Sequence, residues 1–117
     1  RLDLAMVLVA HDLALVGEVC DRVHVMLAGR VVESGPAESV LAAPLHPHTG
    51  ALVAAALGGA DTAREGEASG ADVVDTGRAS CPLLGSCGRA GELCGSDPEL
   101  CEVGDGRRVA CHHPGAA

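Results

Sequence analysis

Leu4-Ala5-Met6-Val7-Leu8-Val9-Ala10-His11-Asp12-Leu13 places five large apolar residues among its first six positions, then two polar residues side by side. An apolar run this short and without alternation predicts a strand over residues 4–10, buried on both faces as in parallel sheets. His11 then stands at the carboxyl end of that strand, and Asp12 has the side chain to cap a helix starting at Leu13. Ligands of open α/β sheets gather at that edge. A histidine aimed there suits catalysis or phosphate sensing, although the same position also suits an ordinary surface or helix-flanking residue.

The residues that follow have regular local signals. Leu13, Val16, Val19 and Cys20 recur at helical spacing with Glu18 opposite, while Gly17 weakens a helix that must depend on packing. Val23, Val25 and Leu27 alternate with His24 and Met26, and Ala28-Gly29-Arg30 turns the chain into a second short strand at Val31-Val32-Glu33. This predicts a hairpin over residues 22–34, with Gly29 supplying positive φ. Pro36 sits where a helix begins, and Val40-Leu41 face inward. Pro44 stops that helix, residues 45–49 connect, and Thr49 is placed to cap a further helix over residues 50–57.

Composition bounds the rest. All eight basic residues are arginine, the net charge is −8, and there is no Phe, Tyr or Trp. A core of Val, Leu and Ala alone buries little area per side chain. The negative charge argues against nucleic acid as a partner. No stretch is long and apolar enough to span a bilayer. The chain opens on Arg1 and runs almost at once into a core-type strand, which is expected of a C-terminal fragment. Residues 60–80 are small and acidic, a linker by composition. Five of the six cysteines crowd between Cys81 and Cys111, and such clustering without evidence of secretion favours metal ligation over disulfides. Cys20 stands apart and reads as a small buried hydrophobe.

His11-Asp12-Leu13-Ala14, followed by Asp21-Arg22-Val23, Val25-Met26, Gly29-Arg30, Val32-Glu33 and Gly35-Pro36, resembles the final third of ATP-binding cassette (ABC) ATPases. His46-Pro47-His48-Thr49, Ala51-Leu52, Cys81-Pro82, Cys87, Cys94 and Val109-Ala110-Cys111-His112 are similar to the dipeptide, oligopeptide and nickel permease subfamily. The sequence departs from that pattern with His48 in place of tyrosine, with Ser86-Cys87-Gly88 in place of Pro-Arg-Cys-Pro, and with Cys101 as an additional cysteine.

The resemblance implies an α/β fold: the C-terminal part of a P-loop NTPase domain over residues 1–58, an acidic linker over 59–80 and a small cysteine-rich extension over 81–114. It makes His11 the switch histidine that contacts the γ-phosphate of ATP. It makes Cys81, Cys87, Cys94 and Cys111 the matching cysteine positions. Four thiolates can close a tetrahedral Zn²⁺ site or hold a 4Fe–4S cluster, and the lack of paired Cys-x₂-Cys knuckles leans toward the cluster. Four reduced cysteines packed as small hydrophobes are the alternative.

ATP and Mg²⁺ are the implied cofactors of the whole protein. The implied partners are transmembrane permease subunits, a second ATPase subunit in a dimer and, indirectly, an extracytoplasmic solute-binding protein. The implied place is the cytoplasmic face of the cell membrane, peripherally attached. The transported solute would be a peptide or a nickel chelate. The sequence has no phosphate loop, no lysine, no apolar strand ending in Asp-Glu and no Leu-Ser-Gly-Gly-Gln signature, so these residues alone are not expected to hydrolyse ATP. The competing readings are a freestanding cysteine-rich metal-binding or regulatory module and a degraded pseudogene product.

Overall fold

The alternation in residues 22–27 produces β1 (Arg22–Leu27), which turns through Ala28 and Gly29 into β2 (Arg30–Pro36). Both turn residues have positive φ, +51° and +76°, the backbone that lets a two-residue turn follow the twist of the strands. In the computed structural model, which describes residues 3–56, 81, 87 and 91–115, this hairpin is the centre of the fold. The linker expected over residues 59–80 lies outside the described residues.

Asp12 does cap the helix before the hairpin, α1 (Leu13–Val19). Its carboxylate accepts the N–H groups of Ala14 at 3.0 Å and Leu15 at 3.3 Å. After β2 come α2 (Ala37–Ala42) and α3 (Pro47–Ala56). Helix α3 starts earlier than expected, and Thr49 lies buried inside it instead of capping it. Two residues explain the earlier start. Pro47 has its φ preset for the first helical position, and the His46 ring takes the cap by accepting the His48 N–H at Nδ1, 3.0 Å away. A short 3₁₀ turn (Glu92–Gly95) leads to a second hairpin, β3 (Cys101–Gly104) and β4 (Arg107–Val109).

The two hairpins form one antiparallel sheet in the order β1-β2-β4-β3, joined by Glu33 opposite Val109 and Ser34 opposite Arg108. The inner face carries two apolar clusters. Val23, Ala37 and Val40, with Val16 and Val25 against them, hold the helices to the sheet. Leu27, Val32, Cys81 and Cys94, with Val25 and Cys87 against them, form the other. Val25 packs against both. Helices α1 and α2 pack closely at Gly17, where a Cβ would meet Leu41 Cδ1 at 3.0 Å. A residue that weakens the helix thereby lets it pack.

One expectation is corrected. Residues 4–10 form no strand, and the apolar side chains are in solvent, Val7 94 % and Val9 91 % exposed. The composition suits a buried strand, but a strand is stable only when its N–H and C=O groups pair with neighbours. Among the described residues the strands pair in the order β1-β2-β4-β3, and none of them pairs with this segment. Among the described residues no helix is long and apolar enough to cross a membrane.

Candidate functional site

His11 follows residues 3–10, which form neither helix nor strand, and directly precedes the capping Asp12. Its side chain is exposed. The cap fixes where the helix begins and so fixes the backbone that carries His11. The ring can donate or accept through either nitrogen.

The four cysteines singled out by the resemblance are differently placed. Cys81 and Cys94 are buried against Leu27 and Val32, with Cys87 packed on the same cluster. The Cys81 N–H donates to the Cys94 carbonyl at 3.1 Å, so the two thiols come from backbone that is itself joined. Cys94 Sγ accepts the Gly91 N–H at 3.5 Å, and Cys111 Sγ accepts the His113 N–H at 3.4 Å. His112 is engaged elsewhere, its Nε2 3.0 Å from the Ser96 carbonyl and 3.2 Å from Ser96 Oγ. Among the described residues no three His, Cys, Asp or Glu side chains are arranged to hold a metal ion. The donor set expected for zinc or a 4Fe–4S cluster is therefore not assembled here. Instead the buried thiols supply apolar bulk where a chain without aromatic residues has little else to offer. Cys101, on the edge strand β3, is exposed.

Sequence reasoning missed the most enclosed polar group. Glu33 is completely buried on β2. Its carboxylate accepts the backbone N–H groups of Leu45 at 2.9 Å and His46 at 3.0 Å, and pairs with Arg107 Nη2 at 2.8 Å. Arg107 Nη2 also donates to the Ala43 carbonyl at 2.6 Å. One ion pair thus organises the whole connector between α2 and α3. The signal was present in the alternation of β4, where Arg107 and Val109 share a face opposite Arg108, but nothing local named Glu33 as the partner.

Further ties hold the second hairpin to the first. Arg22 Nη2 donates to the Gly106 carbonyl at 2.8 Å, Ala110 N–H donates to the Val32 carbonyl at 2.8 Å, and Arg30 pairs with Asp97. The cysteine-bearing residues and the first hairpin therefore share a sheet, a core and ion pairs.

Relatives of this chain are found along nearly its whole length. The dipeptide transport ATP-binding protein DppD of Escherichia coli (strain K12) is 39 % identical over 115 residues, covering 96 % of this chain. The oligopeptide transport ATP-binding protein OppD of the same strain is 36 % identical over 115 residues, covering 94 % of the chain. A probable peptide ABC transporter ATP-binding protein, y4tS of Sinorhizobium fredii, is 39 % identical over 117 residues, covering 93 %. The chain is similar along nearly its whole length to one part of the ATP-binding proteins of dipeptide and oligopeptide ABC transporters. It spans about a third of these relatives' length: 35 % of DppD, 33 % of OppD and 32 % of y4tS. No model of a known protein family matches the chain.

Proposed function

We propose that this chain is the C-terminal portion of the ATP-binding, ATP-hydrolysing subunit of an ABC importer for peptides, with His11 as its switch histidine. The observation that carries the reading is the match to the dipeptide transport ATP-binding protein over 96 % of the chain. The bare apolar segment that leads into His11 supports it. Residues 4–10 have the composition of a central strand and expose it, and the remaining two thirds of a cassette would supply the flanking strands.

In this reading His11 is held at the carboxyl edge of the completed sheet by the Asp12 cap. Its imidazole there donates one N–H to an oxygen of the γ-phosphate and steadies the attacking water. Phosphoryl transfer depends on such positioning and on charge stabilisation. Mg²⁺ and the other phosphate contacts would, by the family resemblance, fall to the phosphate loop and the other motifs that this sequence lacks. The names of the relatives favour peptides over nickel as the solute. A freestanding metal-binding module is not favoured, because the match runs through both halves of the chain and both halves share one sheet.

The test uses the full-length subunit with its permease partners. His11→Ala should leave ATP binding nearly intact and lower turnover by roughly 10²-fold, the pattern of a group acting chiefly in the transition state. Equal losses of binding and turnover would make His11 a structural residue.

A further inference from the structure

On the face of the sheet opposite the core, one rung runs across all four strands. His24 on β1 lies opposite Ser34 on β2, Ser34 opposite Arg108 on β4, and Arg108 opposite Glu102 on β3. Two residues before His24, on the same face of β1, is Arg22, anchored by its bond to the Gly106 carbonyl. These six residues line a cleft of about 220 Å³. That space has room for several waters or for one small ion with part of its shell.

The charges in the cleft are unusual for this chain. Of the arginines in the described structure, Arg30 and Arg107 are paired with carboxylates, but Arg22 and Arg108 are in no ion pair among the described residues. Two arginines that are in no ion pair among the described residues therefore line one space, with Glu102 beside Arg108, in a protein of net charge −8. Guanidinium forks match oxyanions with two parallel N–H bonds each. The Ser34 hydroxyl and the His24 ring add donors between them.

We propose that this cleft binds inorganic phosphate. A carboxylate ligand presents its two oxygens in one plane, the geometry of a single arginine fork. A tetrahedral oxyanion can use both forks and the serine together. Glu102 decides among tetrahedral ions. Its carboxylate only accepts hydrogen bonds, so it opposes sulfate, which has no proton to donate at neutral pH. It pairs with the P–OH group that every form of inorganic phosphate carries there. The site is distinct from the His11 edge and does not depend on the role assigned to that residue.

The experiment is a nuclear magnetic resonance titration of the 117-residue chain with sodium phosphate, and separately with sodium sulfate, at constant ionic strength and pH 7. Saturable shifts confined to the amides of His24, Ser34, Arg108 and Glu102 are expected for phosphate. A charge-assisted hydrogen bond to Glu102 should make phosphate bind about tenfold more tightly than sulfate. Arg108→Gln should abolish saturation, with the amides of Val32 and Val109 unmoved as proof that the sheet is intact. Glu102→Gln should keep the site but erase the preference for phosphate. Shifts that never saturate, or equal responses to the two anions in the unmodified chain, would overturn the proposal. So would binding that survives Arg108→Gln.

Discussion

Glu33 and Arg107, 74 residues apart in sequence, form a buried ion pair that fastens the second hairpin to the first. The carboxylate is shielded from water and holds three hydrogen bonds, two of them to the backbone at the end of the α2–α3 connector. The pair therefore sets where α3 begins as well as how the two hairpins meet. Helix α3 depends on a residue contributed from far along the chain.

Removing one partner should cost far more than replacing both. Arg107→Ala leaves the Glu33 charge buried and should destabilise by about 3–5 kcal/mol in urea unfolding, since breaking a buried pair strands its partner. The double variant Glu33→Gln/Arg107→Met should recover part of that loss. A single variant within 1 kcal/mol of the parent would show that the pair contributes little.

Gly35 is needed for the same junction. A Cβ there would lie 2.9 Å from Arg107 Cγ and 3.2 Å from Val40 Cγ2. Gly35→Ala should therefore destabilise by about 1–3 kcal/mol through overpacking. Gly29→Ala meets no atom within 4 Å but requires φ near +76°, so its cost should be about 1–2 kcal/mol and purely conformational. In the background Arg107→Ala the Gly35→Ala penalty should shrink, whereas the Gly29→Ala penalty should not.

His48 gives the fold a pH dependence. Burial lowers its pKa below the ordinary 6.5 because the charged ring is less well solvated in the folded chain. The unfolded chain then binds a proton at a pH where the folded chain does not, so stability rises with pH through that window. The contribution is complete above about pH 6.5 and is lost as pH falls through 6.5 toward the lowered folded value. His48→Gln should flatten the stability curve between pH 5 and 7. An unchanged slope in this variant would assign the dependence to another group.

Thiol chemistry separates the cysteines. Cys101 is exposed whereas Cys81 and Cys94 are buried, so alkylation of the native protein should label Cys101 first and reach the other two only on unfolding. Anaerobic metal analysis tests the same arrangement from the other side. About four irons per chain with broad absorbance near 400 nm would restore the four-thiolate set expected from the resemblance.

The features that were legible in the sequence are those governed by neighbours a few residues apart. Asp12 caps because its carboxylate reaches the N–H groups of Ala14 and Leu15. The first hairpin follows from alternation and from Ala28-Gly29. Pro47 was legible as part of a family pattern, but its role in starting α3 depended on the His46 ring behind it.

What only the tertiary structure decided depends on residues far apart in the chain. Periodicity shows that Arg107 and Val109 share a face, but not that the face is laid against Glu33 and Gly35, because side-chain pairing between distant strands leaves no local trace. The cysteines were visible as a cluster of ligating residues. Their burial against Leu27 and Val32 depended on where the second hairpin docked. Residues 4–10 show the opposite limit. Their pattern is that of a buried strand, yet pattern supplies only the apolar faces, and the hydrogen bonds that make a strand must come from neighbours that the described residues do not place beside it.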